Sequence, residues 1–164
     1  MTHILIIDAP YYSHISDKLI EGATDVLKHE GATYEQIDVP GVLEIPAALS
    51  MVLEAEMEGG TRYDGFVVLG CVIRGETTHY DTVCNDSSRA ITMLGLQGLF
   101  IGNGILTVEN MAQAEARAEV AGQNKGGGAA AAALHLIALS RKWGSSGKSI
   151  GFTSEILARG GTSV

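Results

Sequence analysis

Apolar and polar residues form blocks along the chain whose spacing switches between that of a strand and that of a helix. The continuous apolar runs within residues 3–8 and 64–72 predict strands that are buried on both faces of a sheet. Apolar residues at helical spacing predict amphipathic helices, as in the segment that contains Ile15 and Leu19 and closes at Gly31. Read from end to end, these blocks predict the element order β α β α β α β α α.

Alternating strands and helices are typical of the α/β class. We expect a four-stranded parallel sheet with helices on both faces over residues 1–143, followed by a Gly/Ser-rich C-terminal tail over residues 144–164. In open sheets of this kind, ligands bind beyond the carboxyl ends of the strands. Most of the unusual residues of this chain lie in the four loops expected there, which read DAPYYS, PGVLEIP, GETTHYD and GNGILTVEN.

The composition limits the partners of the protein. Hydrophobic residues make up 46% of the 164 residues and charged residues only 18%, which is apolar for a monomer and favours buried subunit interfaces. The formal net charge is −8, and no run of Lys or Arg is present. Because such a surface repels a phosphate backbone, nucleic acid is not an expected partner, whereas a small anion can still bind where cations gather.

Several other classes of site find no support in the sequence. Cys71 and Cys84 fit neither a disulfide framework nor a metal-ligand spacing, so we expect reduced thiols in a cytoplasmic protein and no metal site. The longest apolar run is too short to cross a membrane. GNGILT lacks the third glycine of a dinucleotide fingerprint, NKGGG is not a Walker loop, and no G-x-S-x-G elbow is present.

His79 is the first candidate for chemistry. It lies in the predicted first turn of a helix, with Thr77 or Thr78 as the expected N-cap, directly after a strand. The positive end of a helix disfavours a protonated imidazole, so a histidine there is suited to accepting a proton. The alternative interpretation is that His79 is an ordinary polar residue at an exposed helix start.

Arg117 and Lys125 form a second candidate group. Arg117 is expected at the end of one helix, and Lys125 in a glycine-rich turn over residues 122–128 that starts the next. Together they could bind a phosphate, the arginine through a bidentate fork and the lysine as a point charge, with amides of the helix N-terminus adding to both. Alternatively, both are solvated cations that stabilise helix dipoles.

Tyr11 and Glu44 are weaker candidates. Tyr11 closes the first strand, where its ring could stack on a planar ligand, although tyrosines in loops often only cover a core. Glu44 stands between Leu43 and Ile45 in an apolar loop, where a carboxylate could bind hydroxyl groups. It could equally be an ordinary acidic residue in a first helical turn.

The segments PGVLEIPAAL, GCVIRGETTHYDTVCNDSSRAI, GILTVEN and NKGGGAAAAAL occur in the order and spacing of a known family. Over residues 3–143 the chain resembles lumazine synthase, the penultimate enzyme of riboflavin biosynthesis. The resemblance implies a flavodoxin-like fold, assembled as homopentamers with active sites between neighbouring subunits. The implied transferase reaction condenses 5-amino-6-(D-ribitylamino)uracil with 3,4-dihydroxy-2-butanone 4-phosphate, needs no cofactor, and makes riboflavin synthase a further partner.

The resemblance also implies roles for individual residues. His79 matches the histidine that transfers protons, Arg117 the arginine that binds phosphate, and Lys125 the second cation. The turn over residues 75–78 is expected to surround the phosphate. The implied substrate-binding residues are Tyr11, Val42, Leu43, Glu44, Cys71, Val72, Ile73, Gly75, Glu76, Thr77, Thr78 and Asn103.

Two positions and one segment depart from the family pattern. Asn103 replaces a frequent aromatic residue, so a polar contact is expected there in place of stacking, and the charge of Glu76 would oppose an anion unless it points outward. EVAGQN lacks the pattern linked with sixty-subunit shells, which favours a free pentamer. Two alternative hypotheses are a non-catalytic relative that binds a flavin or lumazine, and a scaffold whose assembly matters more than its chemistry.

Overall fold

The computed structural model of the protein describes residues 1–144. The predicted tail of residues 144–164 therefore lies outside the described residues, apart from Gly144, which ends the last helix. The strands are β1 (His3–Ala9), β2 (Thr33–Asp38), β3 (Gly65–Ile73) and β4 (Ile101–Val108). The helices are α1 (Ser13–His29), α2 (Ile45–Met57), α3 (His79–Leu96), α4 (Met111–Ala118) and α5 (Lys125–Gly144), with a 3-10 helix at Val42–Glu44.

The four strands form one parallel sheet in the order β2-β1-β3-β4. This order is that of flavodoxin-like sheets, and the predicted α/β class, sheet and element order are confirmed. β1 and β3 are the central strands, and Ala9 pairs with Gly70 where both approach their carboxyl ends. A ligand site is expected at this edge because the loops after β1 and β3 leave the sheet side by side.

Side chains of the central strands point alternately into two cores. Ile4 and Ile6 pack under α1 and α5, whereas Leu5 and Ile7 pack on the side of α2 and α3. All four are at most 1% exposed. Burial on both faces explains why these strands are continuous apolar runs in the sequence.

α5 is fixed in place by close backbone contacts at two glycines. A Cβ atom at Gly102 of β4 would lie 1.9 Å from the carbonyl oxygen of Ala129, and one at Gly126 would lie 2.0 Å from that of Leu19 in α1. Any larger residue at either position would therefore force the backbones apart. The start of α5, and with it Lys125, is held against both α1 and β4.

The predicted glycine turn over residues 122–128 is wrong in its second half. Lys125 is the first residue of α5, and the glycines at 126–128 lie inside that helix. Asn124 takes the turn conformation instead, with φ of 44°, and its Oδ1 accepts a hydrogen bond from the Gly127 amide at 3.1 Å. Packing against α1 outweighs the low helix propensity of glycine at Gly126 and Gly127.

Candidate active site

A pocket of about 410 Å³ opens at the carboxyl ends of β1 and β3, a size that suits a small-molecule ligand. We call it the carboxyl-end pocket. Its walls come from the loop after β1, the 3-10 helix, the end of β3 and the start of α3. The lining residues are Ala9, Tyr11, Tyr12, Pro40, Gly41, Val42, Leu43, Glu44, Cys71, Val72, Ile73, His79 and Val83.

One wall of the pocket is aromatic. Tyr11 is 75% exposed, and its ring meets that of Tyr12 edge to face, with centroids 5.0 Å apart. The Tyr12 ring packs against the core beneath α1, so it supports the Tyr11 ring from behind. An exposed aromatic face with a rigid neighbour is suited to stacking on a planar ligand.

The 3-10 helix forms another wall of the pocket. Val42 is buried under it, whereas Leu43 and Glu44 are exposed toward the opening. The helix approaches β3 closely, because a Cβ atom at Gly70 would lie 2.8 Å from Cγ2 of Val42. The loop therefore presents one apolar and one carboxylate side chain to a ligand on a fixed backbone.

His79 is the first residue of α3, as predicted, and its side chain is exposed and lines the pocket. Thr78 occupies the N-cap position but makes no side-chain cap bond. Thr77 supplies the cap instead, since its Oγ1 accepts a hydrogen bond from the His79 amide at 3.3 Å. Among residues 1–144 the imidazole has no hydrogen-bond partner, so both ring nitrogens are open to a substrate.

Other predicted site residues lie away from this pocket. Arg117 is half-buried near the end of α4, and its Nη1 donates a hydrogen bond to the Gln113 carbonyl at 3.1 Å. Lys125 is exposed at the start of α5, and neither cation lines the pocket. α4 and α5 pack on the α1 side of the sheet, whereas the 3-10 helix and α3 lie on the other side.

The turn over residues 75–78 and Asn103 also lie outside the pocket lining. Gly75, Glu76, Thr77 and Thr78 are all exposed beside His79. Asn103 is exposed on β4, and its Oδ1 accepts a hydrogen bond from the Ile105 amide at 3.0 Å. β4 is an edge strand of the sheet, and its Ile105 amide is therefore hydrogen-bonded within the chain.

Cys71 contributes an apolar wall rather than a nucleophile. The thiol is buried, and this burial raises its pKa to about 11. A thiol with this pKa is protonated near neutral pH and reacts poorly as a nucleophile. Within residues 1–144, no group of acidic, histidine and cysteine side chains is arranged to hold a metal ion, and no helix is long and apolar enough to cross a membrane.

Asp8 is not among the residues predicted from the sequence. It lies near the end of β1, and its side chain has no exposed surface. Its Oδ2 accepts a short hydrogen bond from the Ser16 hydroxyl, and its Oδ1 has no partner. The bond ties β1 to the first turn of α1, across the loop that carries Tyr11 and Tyr12. The sequence does contain a signal for this residue, since Asp8 is the acidic residue that ends the apolar run of the first strand.

Burial raises the pKa of the Asp8 carboxyl from 3.8 to about 6, with Ser16 opposing and Asp38 adding to the increase. The folded state thus holds this proton more tightly than the unfolded state, and the free energy of unfolding should fall as the pH rises through this interval, by about 2 to 3 kcal/mol. Asp8→Asn should remove this dependence. Urea unfolding at fixed protein concentration, between about pH 4 and pH 7, measures it.

Asp25→Asn is the matched control, because Asp25 is an exposed carboxylate on α1. Its unfolding free energy should follow the wild-type pH dependence. If Asp8→Asn also kept the wild-type dependence, Asp8 would not carry a raised pKa in the folded state.

A family model and several curated relatives match most of this chain, and all carry the same enzyme name. The family model for 6,7-dimethyl-8-ribityllumazine synthase matches residues 1–141. A 6,7-dimethyl-8-ribityllumazine synthase of a Jannaschia species is 52% identical over 149 residues, which cover 91% of this chain and 81% of the relative. A 6,7-dimethyl-8-ribityllumazine synthase from Agrobacterium fabrum is 54% identical over 143 residues, which cover 87% of this chain and 97% of the relative. 6,7-Dimethyl-8-ribityllumazine synthase 1 of Mesorhizobium japonicum is 51% identical, covering 87% of each chain.

Proposed function

The chain belongs to the 6,7-dimethyl-8-ribityllumazine synthase family, and we propose that it carries out the condensation of that family in the carboxyl-end pocket. The reaction joins 5-amino-6-(D-ribitylamino)uracil to 3,4-dihydroxy-2-butanone 4-phosphate and releases phosphate and water. The observation that carries the proposal is His79, a histidine with free ring nitrogens at the edge of a pocket whose other walls are aromatic and apolar.

We assign the pyrimidine to the space between Tyr11 and the 3-10 helix. The exposed Tyr11 ring would stack on the pyrimidine, and the backbone and Glu44 carboxylate of the 3-10 helix would bind the ribityl hydroxyls. The apolar wall of Cys71, Val72 and Ile73 would exclude water from the reacting atoms. This arrangement leaves the amine of the pyrimidine directed toward His79.

His79 would carry protons during the condensation. Formation of an imine from an amine and a ketone moves protons onto oxygen and off nitrogen, and imidazole exchanges protons near neutral pH. Loss of phosphate leaves a negative charge that needs neutralisation. The backbone amides of the exposed 75–78 turn, at the N-terminus of α3, are the groups of the same protomer that we assign to the phosphate.

Arg117 and Lys125 are assigned to the phosphate of a neighbouring subunit's site. Neither lines the pocket that contains His79 in its own protomer, so a second protomer would have to supply them. α2 and α3 carry the strongly exposed residues Met51, Met57, Met93 and Leu96, which are 56–82% exposed and would suit an interface. We therefore propose a homopentamer with sites between subunits, in the cytoplasm, and riboflavin synthase as a partner.

The test is an assay that combines both substrates and follows the fluorescence of the lumazine product. We expect product and free phosphate to form together, and only when both substrates are present. Native mass measurement on the same sample gives the number of subunits. Tight flavin or lumazine binding without any product would contradict the proposed reaction and favour a binding protein.

A further inference from the structure

Arg74 is the residue that directly follows β3 and precedes the 75–78 turn. Its amide donates a hydrogen bond to the carbonyl of Val108, the last residue of β4, at 2.9 Å. Its backbone is therefore fixed where the two strands end. The side chain extends from this fixed point toward the start of α3.

The 75–78 turn has little support of its own. Among the described residues, its hydrogen bonds run only to the start of α3. The His79 amide donates to Thr77 Oγ1, and the amides of Asp81 and Thr82 donate to the Thr78 carbonyl. All residues of the turn are exposed. Without another contact, the turn and the His79 side chain could shift together relative to the sheet.

The Arg74 guanidinium supplies such a contact on the far side of the turn, beside an interaction of the Tyr80 hydroxyl with Thr107 of β4. Its Nη1 lies 3.3 Å from Oδ1 of Asp81, and its carbon lies 4.1 Å from the centroid of the Tyr80 ring. Tyr80 and Asp81 are the two residues after His79. A planar guanidinium can stack on an aromatic ring and bind a carboxylate at once, which an ammonium cannot do with the same geometry.

The Arg74 side chain also reaches the residue that follows β4. Its Nε donates to Oε2 of Glu109 at 2.8 Å, and Glu109 precedes Asn110, the N-cap of α4. The Glu109 amide is held in turn by Oε1 of Gln113 at 3.0 Å. The guanidinium thus joins the first turn of α3 to the β4–α4 junction.

We propose that Arg74 is a positioning residue, which holds His79 at the carboxyl-end pocket by clamping the first turn of α3 to the end of β4. The proposal rests on the proposed function, because it requires His79 to act in the reaction. An exposed ion pair adds little to stability. Arg74 acts instead through the position of His79, because a misplaced proton carrier slows a reaction much more than it destabilises a fold.

The experiment is a double-mutant cycle on the full-length protein. Arg74→Ala should lower kcat about 10- to 100-fold, with little change in the KM for the pyrimidine and a nearly wild-type melting temperature. The KM for the phosphate substrate should rise, because the 75–78 turn is assigned to the phosphate. In a His79→Ala background the same substitution should lower kcat less than about twofold, because it acts through a side chain that is no longer there. Arg74→Lys should retain an intermediate kcat, and replaces Arg74→Ala in the cycle if that variant does not fold.

Arg89→Ala is the matched control. Arg89 also lies on α3 and pairs with an aspartate, Asp86, but about two turns further along the helix from the clamp, and its loss should leave kcat unchanged. If Arg74→Ala lowered kcat equally with and without His79, Arg74 would have a general structural role and the proposal would be overturned. The proposal would also fail if Arg74→Ala did not lower kcat at all. If His79→Ala alone left kcat unchanged, the proposed function of His79 would fail instead, which the single variant reports separately.

Discussion

Replacing His79 by alanine should lower kcat about 100- to 1000-fold, the range expected when a general acid-base group is removed. The imidazole lies at the edge of the carboxyl-end pocket, and no described residue is hydrogen-bonded to it. Its loss therefore removes a group that lines the pocket and leaves no buried partner unsatisfied. Steady-state kinetics with both substrates varied, followed by product fluorescence, measures the change.

Turnover should remain detectable above the uncatalysed reaction. Holding two reactants together supplies up to roughly 7 to 11 kcal/mol of the catalytic effect, and this part does not depend on the imidazole. The KM values should change little, because Tyr11 and the 3-10 helix would still bind the pyrimidine.

His29→Ala is the matched control for this variant. His29 ends α1, and its side chain is 85% exposed, so it should retain wild-type kinetics. A wild-type kcat for His79→Ala would contradict the assigned proton transfer, and the histidine would then be the ordinary polar helix start that the sequence also allowed.

The sequence predicted the fold because its strongest signals are local. The two central strands are apolar runs buried on both faces, and α1 carries its buried residues Ile15, Leu19 and Ala23 on one stripe. The start of α5 was predicted wrongly, because consecutive glycines normally favour a turn. The close contact of Gly126 with Leu19 is a tertiary effect, and no local pattern reveals it.

The candidate site was only partly accessible from the sequence. The pocket unites eight of the predicted residues, because each ends a strand, follows a strand end or begins a helix at the same edge of the sheet. Those residues are Tyr11, Val42, Leu43, Glu44, Cys71, Val72, Ile73 and His79. The buried Asp8 and the Arg74 contacts depend on which side chains meet across elements. Spacing along the chain does not contain that information.

Arg117→Ala should raise the KM for the phosphate substrate about 10- to 100-fold, since each charge-assisted hydrogen bond contributes about 1.5 to 3 kcal/mol. The KM for the pyrimidine should change far less, because that substrate carries no phosphate. Inorganic phosphate should also inhibit the variant more weakly than the wild type. The KM of Arg117→Lys for the phosphate substrate should lie between those of the wild type and Arg117→Ala, because lysine keeps the charge but not the bidentate fork.

Arg62→Ala provides the matched control, because Arg62 is an exposed arginine in the loop before β3, at the opposite edge of the sheet. Its two KM values should remain those of the wild type. Equal increases in both KM values for Arg117→Ala would contradict the phosphate role.

Co-expression of His79→Ala and Arg117→Ala subunits then tests where the arginine acts. The mixture is assayed with the phosphate substrate well below its KM, where both single variants turn over slowly. If the two residues serve one site from neighbouring protomers, a mixed oligomer contains some sites with both residues intact, and activity under this condition should exceed that of either variant alone. If both residues act within one protomer, every site in the mixture lacks one of them and activity cannot recover. Arg117 lies outside the pocket of its own protomer, so we expect recovery, and its absence would contradict a site shared between subunits.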